Sequence, residues 1–420
     1  MRLAQLALAI LLAILLSVPM SSGTEAGGIG VSGRGPCAQS FGALAPVKGF
    51  PRTVRVGMDA GGLAVSERTG HVFVIVAGPH TGRHYACAGT VQMLSARSGA
   101  LLRTVTVSTG PSQIAVDDTT GRVFILSIGG PLQGPGVVTV LDTRTGALLQ
   151  TIRVSDSFSW GGQMVIAQRA GRVFLVPGYY GSQRVFALDA ATGAQLYTLP
   201  FTGTPLVDER SNRLLLLPPG SLSPFTSDTV RLVDAVTGRL VGSTTIGYCF
   251  PATAVLSGQA QTAFLGGTGN NKTDNQLCVL DAVTGGVLQR VNLGMAGAAN
   301  LLAVDDPAGV VFSAEGNLFF PSGFRLIARD THTGAVVHDL GPALPGPASA
   351  VDGRTGELYV ATGGNHVRLL DPRTWRFIRT LEAAGNPVAI TVSQRFRTVF
   401  VAGAGTDLLT IFCPSGRCAS

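Results

Sequence analysis

Charge is scarce in this chain. Of its 420 residues only 13% are Asp, Glu, Lys or Arg, against 45% hydrophobic. Disorder needs the opposite balance, so the sequence describes a folded protein. The formal charge of +7 comes from 31 Lys and Arg against 24 Asp and Glu. No basic run of the kind that follows a phosphate backbone occurs, which argues against nucleic acid as a partner. Nucleophile and phosphate motifs are missing as well: there is no Gly-x-Ser-x-Gly elbow, no His-Glu-x-x-His pair and no Walker-type loop, and the six His are scattered. None of the six Cys forms a Cys-x-x-Cys pair, so zinc ribbons and covalent haem are excluded.

Glycine is what the chain has in quantity, with 56 Gly and 23 Pro. No collagen triplet accompanies them, and Gly costs about 1 kcal/mol in a helix interior while freeing tight turns. This composition favours a large β protein with many turns, and a closed all-β architecture can absorb such a length as one domain.

Long apolar runs are confined to the N-terminus. Arg2 precedes an apolar stretch from Leu6 to Val18, followed by Pro19, Ser21, Ser22, Gly23 and Ala26. The stretch is short for a helix that must cross about 20 residues of bilayer, and the small residues suit a signal peptidase. Residues 1–26 are expected to be a secretory signal peptide, with an uncleaved anchor as the alternative. The mature chain should carry no transmembrane segment and should lie outside the cytoplasm, in the periplasm or the extracellular space. Disulfides are then the expected state of the cysteines.

A repeat of about 47 residues organises the remainder. One element is an apolar strand ending in Asp, two variable residues, Thr-Gly, and another apolar strand. It occurs at Asp142 to Gly146, Asp189 to Gly193, Asp234 to Gly238, Asp281 to Gly285 and Asp330 to Gly334, with degenerate copies at Ser95 to Gly99 and Asp371 to Trp375. Asp can accept hydrogen bonds from backbone N–H groups two or three residues on, and Gly supplies a positive φ, so the element reads as a hairpin turn. The second element has the form Gly-x-Val-Phe-Val. It runs from Gly70, Gly121, Gly171, Gly309 and Gly356, with Asn212, Gln261 and Arg397 opening the remaining copies. A further strand precedes each of these, as in Ile114-Ala115-Val116-Asp117.

Each unit is therefore four strands, a to d, and four-stranded units at this period predict an all-β fold, a single β-propeller. Strands a, b and c can be counted eight times, but d only seven. Arg52-Thr53-Val54-Arg55-Val56 resembles the d strands Arg103 to Val107 and Gln150 to Val154, so an N-terminal strand should complete the last blade. Eight blades are expected; seven is the alternative if the fourth unit, with its shortened strands, is not a full blade. The expected boundaries are 1–26 signal peptide, 27–49 N-terminal extension, 50–413 propeller and 414–420 tail.

These alternating motifs resemble the YVTN-type extracellular β-propeller repeat, related to lactonase-like and quinoprotein-like propellers. The resemblance covers nearly all of residues 50–413, with Leu358-Tyr359-Val360-Ala361-Thr362 nearest to the tetrapeptide that names the family. Typical members have seven blades. The resemblance implies the fold strongly and permits a lactonase-like or other hydrolytic activity at the channel mouth. A quinone-docking propeller that repeats Trp at its blade junctions is disfavoured, since the chain has only two Trp.

In a propeller the d-to-a and b-to-c connections share one face, and aromatics gather on them: Phe158, Trp160, Tyr179, Tyr180, Phe225, Tyr248, Phe250, Phe319, Phe320 and Phe324. They form the candidate surface for a protein or glycan ligand, unless they pack the loops onto one another. His80, His84 and Cys87 are a weak candidate metal set, and Gly269 to Asn275 has oxygen ligands for Ca2+ without the regular spacing of an EF-hand. No cofactor is expected. Asn271-Lys272-Thr273 matches a glycosylation acceptor, and the pairs Asp117-Asp118 and Asp305-Asp306 read as turn formers rather than catalytic carboxylates. Cys249 and Cys278 should both lie on the loop face and pair; Cys413 can bond Cys418 or reach Cys37, and Cys37 with Cys87 is the remaining combination. The function expected is that of a secreted, monomeric, noncatalytic binding module.

Overall fold

Every Gly-x-Val-Phe-Val run forms the second strand of a four-stranded antiparallel sheet, and the degenerate copies do the same. The computed structural model describes residues 52–413 apart from 59, 79, 82–83, 86–87, 129–133, 159–161, 179–183, 219–227, 248, 250, 252, 268–275, 294–296, 318–319 and 343–344. Eight sheets follow one another: blade 1 spans residues 60–109, blade 2 111–158, blade 3 163–199, blade 4 204–245, blade 5 253–292, blade 6 297–342, blade 7 345–382 and blade 8 386–412 together with 52–55. Neighbouring a strands touch around a complete circle, blade 8 against blade 1 included. The protein is an eight-bladed β-propeller. Its fourth unit is a full blade, in which Thr204–Asp208, Arg213–Leu217, Thr229–Asp234 and Leu240–Thr245 pair in order. The segments expected to be a signal peptide, an N-terminal extension and a C-terminal tail lie outside the described residues.

The b strands explain why the blades need one another. In His71–Val76 and Arg122–Ser127 all residues after the first are buried, so the strand is apolar on both faces. Each b strand has at least one bulky side chain fully buried, among them Phe73, Phe124, Phe174, Phe264, Phe312, Tyr359 and Phe400, with Leu215 in blade 4. Each belongs to a separate hydrophobic cluster shared by two adjacent blades, as where Phe124 meets Val173 and Leu175, or Phe400 meets Val72 and Val74. Eight clusters thus serve eight interfaces. Full burial of one such side chain contributes about 1.5–3 kcal/mol, and it is available only when the neighbouring blade is in place.

Closure follows the expected route. Arg52–Arg55 pairs antiparallel with Leu408–Phe412, Arg52 opposite Ile411 and Arg55 opposite Leu408. Beyond the strand the Val56 N–H donates to the Asp407 carbonyl at 2.7 Å, and the Val56 side chain is completely buried in the cluster between blades 8 and 1.

A second fastening lies at the a–b turns, where a carboxylate of one blade accepts from the backbone of the blade before it. Glu67 accepts from Gln394 N at 2.7 Å and Arg395 N at 3.0 Å, tying blade 8 to blade 1. Asp118 accepts from the Ser66 hydroxyl and Glu67 N, Glu209 from Gln168 N and Arg169 N, and Asp306 from the Ser257 hydroxyl and Gly258 N. Blades 1–2, 3–4 and 5–6 are joined in this way. The intervening pairs use other donors: Met164 N to Gln113, the Arg210 guanidinium to Gln259 O, the Ser349 hydroxyl to Leu302 O, and the Arg354 guanidinium to Gln394 O.

The c–d turns have the geometry the Asp-x-x-Thr-Gly motif requires. Asp330 Oδ1 accepts from His332 N, Thr333 N and the Thr333 hydroxyl at 3.0, 2.7 and 2.8 Å. Gly334 N closes the turn onto Asp330 O at 2.9 Å with φ of 67°. The same arrangement holds at Asp142, Asp189 and Asp234. Positive φ is also what the copies without Gly keep: Asn212, Gln261 and Arg397 at the start of the b strands, and Trp375 in the turn of blade 7, lie between 51° and 57°. Trp375 fits there because its ring stacks at 4.2 Å on His338 of blade 6 and packs against Phe312.

The Thr333 hydroxyl and backbone N–H hold the Asp330 carboxyl below its ordinary 3.8. At Asp142 and Asp189 burial pushes the carboxyl up, but hydrogen bonds from Thr145 and Thr192 outweigh it. A carboxyl lowered in the folded state stabilises the fold above its unfolded pKa and loses that contribution as the pH falls through the folded value. Stability should therefore drop as the pH is taken below about 3.8. Asp330→Asn should cost about 1 kcal/mol at pH 6 and should show a smaller further loss on acidification than the parent, read from urea midpoints between pH 6 and 2. Identical acid losses in the two proteins would remove this carboxylate as a cause.

Candidate functional site

The ring places its connections on two faces. The short a–b and c–d turns described above form one, and the d-to-a and b-to-c connections form the other, where the candidate ligand residues were expected. Trp160, Tyr179, Tyr180, Phe225, Tyr248, Phe250 and Phe319 lie outside the described residues. Phe320 opens strand c of blade 6, Phe320–Asp330, and Phe324 lies within it, half-buried. Phe158 is a correction to the expected surface. It ends strand d of blade 2 fully buried, against the backbone of Gly136 and 6.3 Å from Phe186, in the cluster between blades 2 and 3. Its ring is a core element with no surface left to offer.

On the same face the disulfide Cys249–Cys278 forms as expected, with Cα atoms 6.0 Å apart. Cys249 lies on the crossing from blade 4 to blade 5, and Cys278 lies in strand c of blade 5, Gln276–Asp281. Arg290, on strand d of blade 5, Val287–Asn292, donates to the Ile246 carbonyl at 2.8 Å and sits 2.9 Å from Cys249 Sγ. The crossing is thereby fixed to the blade it enters. Cys413 is also disulfide-bonded, while Cys37, Cys87 and Cys418 lie outside the described residues.

His80 and His84 fall on a two-residue ribbon in the b–c connection of blade 1, where His80 pairs with Tyr85 and Thr81 with His84. Among the described residues no three His, Cys, Asp or Glu come together as a metal site. The Gly269 to Asn275 loop lies outside the described residues. The carboxylate pairs have turn and clasp roles. Asp117 accepts from Thr119 N and the Thr120 hydroxyl of its own turn while Asp118 reaches blade 1. Asp305, raised by burial and by the Asp306 charge, accepts from Ala308 N, and Asp306 reaches blade 5.

The channel wall is built from the a strands: Ala60–Ser66, Pro111–Asp117, Gln163–Ala167, Thr204–Asp208, Thr253–Ser257, Gly297–Asp305, Pro345–Val351 and Asn386–Ser393. They contain no His, Lys, Arg or Glu, and their Asp residues stand only at the ends that enter the a–b turns. Between those ends the described a strands are thus neutral.

A buried ion pair escaped the sequence reading. Arg329 and Glu315 form two parallel bonds of 2.6 Å, the guanidinium also donating to Gly334 O and the carboxylate accepting from the Ser313 hydroxyl. Arg329 takes the apolar slot before the turn Asp, where Leu141, Leu188 and Leu280 stand in other blades. That irregularity was the available signal.

One family model matches the chain over residues 87–254 and 134–381, and it is described as outer membrane protein assembly factor BamB. The chain belongs to this family. BamB-family membership supports the quinoprotein-like propeller kinship expected from the repeat. No curated protein matches the chain. Among solved structures, BamB from Moraxella catarrhalis is 15% identical with a TM-score of 0.57, covering 88% of this chain and 99% of that one. Sqt1 from Saccharomyces cerevisiae is 11% identical with a TM-score of 0.61, covering 86% of this chain and 97% of its own. At these identities both are similar to this BamB-family chain in fold.

The disulfide is the one covalent tie described on the loop face, so its removal is informative. Replacing Cys249 and Cys278 together by Ala should lower stability by about 2–4 kcal/mol for a closed loop of this size, measured by urea unfolding under non-reducing conditions. A change within about 0.5 kcal/mol would mean that Arg290 and the ladder alone hold the crossing.

Proposed function

We propose that this protein is an exported interaction module that binds a protein partner on the loop face of its propeller. The observation that carries this reading is the neutral channel wall: a strands without His, Cys, Lys, Arg or Glu leave the connections as the surface available to a protein partner. The family description, an assembly factor for outer membrane proteins, points the same way. Export rests on residues 1–26 as a signal peptide and is supported by the Cys249–Cys278 disulfide, which persists in an oxidising compartment. The propeller domain is taken as residues 50–413, and kinship with the YVTN-type repeat rests on the Asp-x-x-Thr-Gly turns. A glycan is a further ligand class that the aromatic residues of this face would suit. Among the described residues no helix is long and apolar enough to cross a membrane.

The test is affinity capture from the exporting host with chemical crosslinking. The parent, a Trp160→Ala/Tyr180→Ala protein and a turn-face control, Thr119→Ala, are compared. Partner recovery should fall at least tenfold in the first variant and stay unchanged in the control. Equal recovery from all three, with folding intact, contradicts the loop face as the binding surface. Turnover of lactone or ester substrates would replace the binding reading with a hydrolytic one.

A further inference from the structure

The channel wall is not equally regular around the ring. In blades 3, 4 and 5 strands a and b pair without interruption. In the other five blades the a strand carries extra residues: the register shifts between Ala60 and Gly62 in blade 1, between Pro111 and Gln113 in blade 2, across Leu302 in blade 6, between Pro345 and Ser349 in blade 7, and across Val388 in blade 8. The bulged arc runs from blade 6 to blade 2, and blades 6, 7 and 8 are three successive members of it. A bulge re-aims side chains and frees backbone groups, and such features recur beside binding sites.

A cavity of ≈ 240 Å³ lies where these bulges meet. It is lined by Asn300, Leu302, Ala348, Ser349, Ala389 and Ile390, together with Val388. Leu302 and Val388, both skipped in the pairing, and Ala348, within the shifted stretch of blade 7, are part of its wall. The Ser349 hydroxyl donates to Leu302 O at 2.8 Å, which ties blade 7 to the bulge of blade 6 beside the cavity. Asn300 lines this space, and its carboxamide has no hydrogen-bond partner among the described residues. Each a strand is also the inner edge of its sheet, so its outward N–H and C=O groups face the channel unpaired by the ladder.

We infer that this cavity is a binding site for a small, uncharged, hydroxyl-rich molecule the size of a single sugar or cyclitol ring. Charge is excluded because no ionised side chain stands in the wall to compensate a carboxylate or an amine brought out of water. Hydroxyl groups suit the site because edge backbone and a carboxamide present donors and acceptors side by side, and a hydroxyl is both. Leu302, Val388 and Ile390 supply apolar surface for the C–H face of a ring. Taking about 30 Å³ for each water, the cavity holds roughly eight waters, which one such ring would displace. This site is separate from the loop-face reading and does not depend on it.

The test is ligand-observed saturation-transfer NMR on the full-length protein with D-glucose and myo-inositol, and with D-glucuronate and D-glucosamine as charged counterparts. At least one neutral ring should bind in the millimolar range, with its charged counterparts at least tenfold weaker. Ala389→Leu should abolish that binding by filling the cavity, with the melting temperature checked in parallel. Asn300→Ala, which removes only the carboxamide, should weaken it about fivefold, and the Trp160→Ala/Tyr180→Ala protein should bind as the parent does. No binding by either neutral ring, equal binding of the charged rings, or unchanged binding in both cavity variants would overturn the inference.

Discussion

A blade whose second strand is apolar on both faces cannot stand by itself, and the rest of the structure depends on how that constraint is met. Each b strand needs a neighbour on either side, so the only arrangement that leaves no apolar sheet face open is a closed ring. Closure then needs a device at the point where the chain's two ends meet. Arg52–Arg55 supplies it by becoming the outer strand of blade 8, and Val56 adds an anchor buried in the cluster between blades 8 and 1. Glu67 reinforces the same junction from the turn face, by accepting from two backbone N–H groups of blade 8.

The two faces of the ring are built differently, and this divides structure from function. On the turn face nearly every carboxylate is occupied with backbone donors, either of its own turn, as at Asp330, or of the preceding blade, as at Asp118 and Asp306. Those groups are committed to geometry. The connections on the other face vary in length from blade to blade, and the disulfide with Arg290 fixes one of them to the scaffold. Between the faces, a neutral wall with bulges confined to part of its circumference gives the channel a direction that the repeat alone would not provide.

Much of the fold was legible because the repeat writes the same local chemistry many times. The Asp and Gly of each turn mark the same hydrogen bonds and the same positive φ, and the missing eighth d strand pointed to the N-terminal one. The copies without Gly were readable only as slots, since nothing in Asn212, Gln261 or Arg397 announces a left-handed backbone. Side-chain direction was the harder quantity. Phe158 looks like a loop aromatic in the sequence because it stands at a strand end beside Trp160, but strand d of blade 2 runs on to residue 158 and turns the ring into the core. The bulges of blades 6, 7 and 8 were hidden for a related reason. A bulge changes register without changing composition, so Leu302 and Val388 read as ordinary strand residues until their partners are known.

Cooperative closure by the N-terminal strand is the claim on which this account rests, and hydrogen exchange read by mass spectrometry tests it most directly. A chain lacking residues 1–56 is compared with one lacking only residues 1–49. The account predicts that the longer deletion lowers protection in the b strands of all eight blades, because an open ring exposes the interfaces in turn, while the shorter deletion leaves protection unchanged. Loss confined to Leu408–Phe412 and its immediate neighbours would contradict it, and would mean that each interface holds without the ring being closed.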